Sequence, residues 1–456
     1  MLRWLFFLFT VCIFFITSCT KDGFITGKNA FLLSSDTAVH FDTVFTTAGS
    51  VTRQLKLFNI NDQKLRISSI QLAGGTSSFF RINVSGTPGI QFNNIDLDKG
   101  DSLYIFVTVN INPSLQSLPF LVEDSLRIDY NGNTQMIKLD AFGQNAHFLR
   151  SVILSQNTTW TNDLPYVLLD TFAINKGAIL SIEAGTKVYC GANTPFTVAG
   201  SLHVNGTNDS TGAVTFLNNR LDAPYNAQPG TWQGIYLAPQ SRNNLISFAN
   251  IGNALQGIAA DEGSEVSINQ CKISNCAEGG FVAYHSTVTA TNCLLSNNSY
   301  DAYCLAGGNY TFINCTLASY STKYLFHQYP ALTLSNTNDD ETEVNALQSF
   351  FENCIIWGDE TLTDEVSVQH NPGASFEVNF TNTVYKSGAE NADIKYTDCL
   401  TTDPLFQTAD KENSVFDFHL SSSSPCIDSG KKGSTEIDLE GNLRTDIPDI
   451  GCYEFH

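Results

Sequence analysis

Hydrophobic and polar positions change rhythm several times along the chain. After Arg3, an apolar run of 13 residues from Trp4 to Ile16 gives way to Thr17, Ser18 and Cys19. That run is shorter than the roughly 20 residues needed to cross a bilayer, so residues 1–19 read as an export leader. Residues 20–37 are polar, as expected of a tether. From Val39 to Gln144 the rhythm is strict alternation, as in Gln54-Leu55-Lys56-Leu57-Phe58 and Phe80-Arg81-Ile82-Asn83-Val84. Short strands separated by turn residues predict an immunoglobulin-like β-sandwich over 38–146.

Beyond Ala146 the pattern repeats itself. Leu180-Ser181-Ile182-Glu183-Ala184-Gly185-Thr186 returns 22 residues later as Leu202-His203-Val204-Asn205-Gly206-Thr207. Gln270-Cys271, Asn292-Cys293, Asn314-Cys315 and Asn353-Cys354 are spaced by 22, 22 and 39 residues, the last step being one repeat plus an insertion of 17. A 22-residue unit is too short for two helices and a turn but suits three short strands, so residues 147–420 are expected to coil as a solenoid. Equivalent residues then stack about 4.8 Å apart. Cys271, Cys293, Cys315 and Cys354 should form an inward thiol column below Ala249, with Ile251, Ile273, Leu295, Leu317 and Ile356 stacked two positions on. Asn292, Asn314 and Asn353 are expected to form an amide ladder at the turn. One cysteine per coil cannot surround an ion, so no metal is assigned to the column.

These repeats resemble the right-handed parallel β-helix proteins of the pectate-lyase-like superfamily, over about residues 150–420. The resemblance implies an all-β fold but no single function, because the scaffold carries lyases, hydrolases, adhesins and spacers. Ile16-Thr17-Ser18-Cys19 resembles a bacterial lipobox, which implies a lipid on Cys19, and Cys19-Thr20-Lys21-Asp22 is similar to the surface-export signal of Bacteroidetes-type lipoproteins. The segments Ser424–Gly430, Asp438–Arg444 and Asp449–Phe455 resemble a choice-of-anchor Q domain, here over 421–456. Such a module is expected to cap the last coil. In an exported cap, Cys426 and Cys452 are expected to form a disulfide.

Charge narrows the partners. With 24 Lys+Arg against 45 Asp+Glu the net charge is −21, which opposes phosphate backbones and excludes nucleic acid as a partner. Abundant Phe, Tyr, Asn, Thr and Ser, with only two Met, fit strands and turns.

Catalytic patterns are absent from the repeats. Asp261, Glu262, Glu265, Glu278 and Asp301 do not recur at one offset, and the eight histidines show no ligand or triad spacing. No catalytic residue is assigned and no cofactor is required. The insertion between Cys315 and Cys354 is the exception in texture. Tyr324, Phe326 and Tyr329 offer rings for a ligand, and Asp339, Asp340 and Glu341 offer oxygens for Ca²⁺.

The expected protein is a lipid-anchored outer-membrane surface protein, facing outward. Its partners are the membrane through the lipid, and a glycan or surface protein bound by a non-catalytic β-helix that alternatively serves as a rigid spacer. A polysaccharide lyase or glycoside hydrolase is the competing reading.

Overall fold

The computed structural model describes residues 23–46, 49–113, 120–433 and 435–456. Cys19 lies outside them. The chain divides between Asn145 and Ala146 into two compact units. No helix among the described residues is long and apolar enough to cross a membrane.

The first unit is a β-sandwich. One sheet orders Leu32–Ser34, Arg53–Asn59, Ser102–Val109, Phe80–Val84 and Thr87–Gly89; the other orders Ala38–Phe45, Asn133–Gln144, Phe120–Tyr130, Leu65–Leu72 and Gln91–Leu97. Alternation decides the faces: Leu55, Leu57, Ile105 and Val107 of one sheet meet Ile67, Ile70, Ile128 and Leu139 of the other in a core closed to water. The sandwich begins earlier than the expected tether allows. Phe24 bridges to Lys64, Leu32–Ser34 pairs antiparallel with Arg53–Asn59, and Ala30 and Leu32 are buried. An edge strand needs inward apolar residues only at every second position, and Ala30 and Leu32 supply them within a polar stretch.

The second unit is a right-handed parallel β-helix. Its 25-stranded sheet contains parallel pairings throughout, wound as three strands per coil. Register runs through Ile251, Ile273, Leu295, Leu317, Ile356 and Tyr385, all buried. Aromatic residues stack likewise, Phe312 and Phe351 with centroids 4.9 Å apart and planes at 8°.

The cysteine column occupies the corner before this register. Cys271, Cys293, Cys315 and Cys354 are fully buried. Each follows a residue in the left-handed region, with φ of 47° at Gln270, 50° at Asn292, 49° at Asn314 and 53° at Asn353. Asparagine tolerates that conformation better than other side-chain-bearing residues. The corner leaves carbonyls facing inward, and the thiols answer them: Cys271 Sγ lies 3.2 Å from Asn269 O and 3.4 Å from Ile246 O, and Cys354 Sγ 3.4 Å from both Glu352 O and Phe312 O. Thr383 continues the column with its hydroxyl donating to Thr381 O at 3.1 Å and Phe351 O at 3.3 Å. Burial pushes the thiols of Cys271, Cys293 and Cys315 well above their usual range, so they stay neutral donors.

The asparagines before those cysteines do not form the expected ladder. Asn292 Nδ2 donates to Ile437 O at 2.8 Å, Asn314 to the Thr435 hydroxyl, Asn353 to Lys431 O at 2.9 Å and Asn382 to Ser429 O at 3.1 Å. Left-handed backbone turns these amides away from the axis, where the C-terminal module receives them. An amide ladder does exist at another corner: Asn253 Nδ2 donates to Asn218 Oδ1 at 3.1 Å and Asn275 Nδ2 to Asn253 Oδ1 at 2.8 Å.

The C-terminal module therefore covers a flank and does not cap the last coil. The outward column Asn250, Lys272, Leu294, Thr316, Ile355, Val384 is polar for two coils and then largely apolar. Leu294 and Ala318 are covered by Leu439, Cys452 and Tyr453, whereas Ile355, Trp357 and Val384 are covered by Leu420, Cys426 and Ile450. Cys426 and Cys452 are accordingly separate buried free thiols, against different coils, and not the expected disulfide. Buried carboxylates organise the module. Asp438 Oδ1 accepts the N–H of Glu440 at 2.9 Å and of Asn442 at 2.8 Å, and Arg444 pairs with Glu454 at 3.1 Å, both groups closed to water.

Asn353 joins backbone and module, since its Oδ1 also accepts Lys431 N–H at 2.7 Å. Asn353→Gly should cost about 2 kcal/mol through two lost hydrogen bonds. Asn353→Ala should cost about 1 kcal/mol more through the left-handed backbone. Urea denaturation measures both, and equal losses would contradict the assignment. Alkylation in denaturant without reductant should recover Cys426 and Cys452 as free thiols.

Candidate binding groove

Where the outward column turns polar, the module's apolar cover ends and a groove opens. Its floor is Lys272, Ser274, Leu294 and Ser296, one wall is the antiparallel hairpin Phe406–Asp410 with Val415–Leu420, and the other is Thr322–Tyr324 from the insertion; the volume is about 810 Å³. Asn275 and Asn297, left-handed at φ 57° and 54°, form the corner beside it.

One end of the groove is charged and aromatic. His419 Nδ1 meets Asp417 Oδ1 at 2.5 Å, its Nε2 meets Glu440 Oε2 at 3.4 Å, and its ring stacks on Tyr453 at 3.8 Å between centroids. Lys272 Nζ lies 3.7 Å from Glu440 Oε1 and 5.5 Å over the Tyr453 ring. Partial burial acts to raise the Asp417 carboxyl, but the contacts from His419 outweigh it and hold the group below its usual range. Asp417 therefore faces the groove as an anion that accepts hydrogen bonds. At the opposite wall Lys323 Nζ stands 5.5 Å over Tyr324.

The insertion wall is fixed from beneath by a buried ionic cluster that the sequence reading missed. His327 is 2% exposed; its Nδ1 lies 3.3 Å from Asp359 Oδ1, and its Nε2 lies 2.9 Å from Tyr329 O and 3.2 Å from Glu365 Oε2. Both ring nitrogens face acceptors, so His327 sits as the imidazolium. Burial acts to lower its pKa, but hydrogen bonding and the charges of Glu365, Asp359 and Asp301 prevail and raise it. Asp359 also accepts Ser321 N–H at 3.0 Å and its hydroxyl at 2.8 Å, which ties the start of the wall to the cluster. Asp301, fully buried, is pushed up to about 7 by burial. Gly358 permits this closeness: a Cβ there would stand 2.2 Å from Glu365 Oε1 and 2.5 Å from His327 Cε1. The available signal was one histidine in the insertion with carboxylates one coil further on, at offsets no repeat reveals.

The insertion residues singled out by sequence separate. Tyr324 lines the groove, Phe326 is 66% exposed outside it, and Tyr329 stacks on Tyr300 at 4.6 Å. The expected calcium site does not form. Asp339 accepts from Tyr303 Oη at 3.2 Å, Glu341 accepts from Gln369 at 3.2 Å, and Asp340 is exposed. Asn338 Oδ1 instead closes the turn by accepting the N–H groups of Thr342 and Glu343 at 2.9 and 3.1 Å, which leaves the carboxylates directed to different neighbours. Among the described residues no three His, Cys, Asp or Glu side chains converge as a metal site.

A family model described as the right handed beta helix region matches residues 199–317. No curated protein matches the chain. Among solved structures, the catalytic unit of a thermostable GH87 alpha-1,3-glucanase from Streptomyces thermodiastaticus strain HF3-3 is 11% identical, over 80% of this chain and 90% of that one, with a TM-score of 0.25. PapD-like domain 7 of human CEP192 is 10% identical over 28% of this chain and 94% of that one, at a TM-score of 0.18. A family 123 glycoside hydrolase from Clostridium perfringens is 9% identical at a TM-score of 0.18, the match covering 25% of this chain and 26% of that one.

The buried cluster makes stability depend on pH with a definite sign. His327 has a folded pKa above 6.5, so its contribution is complete below pH 6.5 and is lost as pH rises through the folded value. Asp301, raised from 3.8 to about 7, works in the same direction, because its ionisation opposes the fold as pH rises through that range. The urea midpoint should fall between pH 6 and pH 9. His327→Gln, which strips a buried pair of one partner, should cost about 3–5 kcal/mol at pH 6 and flatten the profile. Parallel profiles for the two proteins would contradict this.

Proposed function

We propose that this chain is an exported lipoprotein, anchored through a lipid on Cys19 and displayed on the cell surface, and that its β-helix binds a glycan in the flank groove without cleaving it. The groove carries the reading. Flat rings from Tyr324, Phe416 and Tyr453 stand among the hydroxyls of Ser274, Ser296 and Thr322, a combination that suits the apolar faces and hydroxyl edges of sugar rings. Strand Lys272–Ser274 pairs on both sides, with Ala249–Gly252 and Leu294–Ser296, so the groove floor offers no backbone edge to an extended peptide. Glycosidic cleavage needs a carboxyl kept protonated beside the bond. Asp417 is held as the anion, while Asp301 and Asp449, whose pKa values are raised, are buried beneath the surface.

The leader supports the cellular placement: a positive Arg3, a short apolar run, small residues before Cys19, then Lys21 and Asp22. The C-terminal module, similar to choice-of-anchor Q domains, then acts as the groove's end wall. A polysaccharide lyase is the competing reading, favoured by Lys272 beside Glu440 at the groove's end.

Full-length protein in detergent, applied to an array of neutral and acidic glycans, is expected to bind and to release neither new reducing ends nor unsaturated uronates. Release of either product would overturn the non-catalytic reading, and binding to no glycan would overturn the proposal. Protease treatment of intact cells should remove the protein from the surface.

A further inference from the structure

A second cavity of about 390 Å³ adjoins the groove and shares Lys272 with it. Its boundary residues include Asp209, Ala213, Asn250, Gln270 and Glu440. Loop and module meet at its side, where a Cβ on Gly441 would stand 2.1 Å from Asn208 Nδ2. Ala213, Asn250, Lys272 and Leu294 come from four successive coils. At about 4.8 Å per coil, the combined floor extends about 14 Å along the solenoid axis.

We infer, on the basis of the glycan reading above, that the ligand is an extended neutral chain lying along the axis through both cavities and crossing Lys272. Lys272 and Glu440 form an exposed pair at 3.7 Å, with side chains 42% and 43% accessible, which is a weak contact that a hydroxyl-bearing chain displaces at small cost. Across the two cavities Asp209, Glu412, Asp417 and Glu440 outnumber Lys272 and Lys323, so an anionic polymer meets repulsion. A single sugar fills one cavity and leaves the other to water. A longer chain makes contacts on both sides of Lys272 with one loss of translational freedom.

The test uses full-length protein in detergent and length-graded neutral gluco-, manno- and galacto-oligosaccharides of one to eight units, with the corresponding uronate series alongside. Affinity for at least one neutral series should rise tenfold or more between two and eight units. Asn250→Trp, an exposed outward position on the second cavity's floor, should bring the ratio of long-chain to short-chain affinity close to one, and Ala213→Trp should do the same. Unchanged urea midpoints would establish that both variants fold. Equal affinity for short and long chains, a stronger response to uronates, or a length dependence untouched by both variants would overturn the inference while leaving glycan binding intact. Binding to none of the series, neutral or acidic, would overturn the underlying reading together with it.

Discussion

A chain that winds through the same corner coil after coil leaves inward-facing carbonyls at each passage, and a buried carbonyl without a donor costs about 1–3 kcal/mol. The corner from Gln270 to Cys399 answers this with one repeated device. A residue in left-handed backbone turns the chain, and the next side chain, Cys or Thr, donates to a carbonyl of its own coil and, at Cys271, Cys293, Cys354, Thr383 and Cys399, to one of the preceding coil. A larger apolar residue would fill the space but leave the carbonyls unmet. A charged one would carry an uncompensated desolvation cost. Cysteine serves because burial keeps it neutral.

The same corner directs the asparagine amides outward, and this determines what lies on the flank. Four of them, from Asn292 to Asn382, meet successive parts of Ser429–Ile437 in reverse order, so the C-terminal module runs back along the coils. Its apolar cover ends where the outward column changes from Leu294 to Lys272, and the groove opens at that boundary, with Glu440 and Gly441 reaching on to Lys272 and Asn208. Fold, flank and candidate site thus follow from one periodic constraint. The buried His327 cluster adds a local one, holding the insertion as the opposite wall.

The solenoid was legible because a 22-residue period writes itself onto the cysteines and the isoleucines behind them, and the sandwich because alternation marks its faces. The destination of the asparagines was not legible: repetition reveals that a side chain recurs but not whether it faces its own copy or another segment. Asn253 and Asn275, which do bond along the axis, were passed over because Asn275 precedes Cys276 whereas Asn253 precedes Ala254, so no Asn-Cys pair recurs at that corner. The covered flank did leave a trace. Cys293-Leu294-Leu295 and Cys354-Ile355-Ile356 put two apolar residues together where Cys271-Lys272-Ile273 alternates, and paired apolar positions on a strand signal that both faces are buried. The groove combines Lys272, Tyr324, Asp417 and Tyr453, spread over 182 positions of the chain, and His327 meets Asp359 and Glu365 from the connection that follows Ile355–Gly358; neither leaves a spacing to read.

Carbodiimide coupling, which joins an amine directly to a touching carboxylate, tests the flank placement of the module most directly. Lys431 Nζ lies 2.6 Å from Glu352 Oε2 and Lys272 Nζ lies 3.7 Å from Glu440 Oε1, two contacts between module and coils far apart in sequence. Peptide mapping of the native protein should recover the Lys431–Glu352 and Lys272–Glu440 linkages, and both should vanish in urea. Coupling of Lys431 and Glu440 only to partners within the module, with the coils unlinked, would contradict the account.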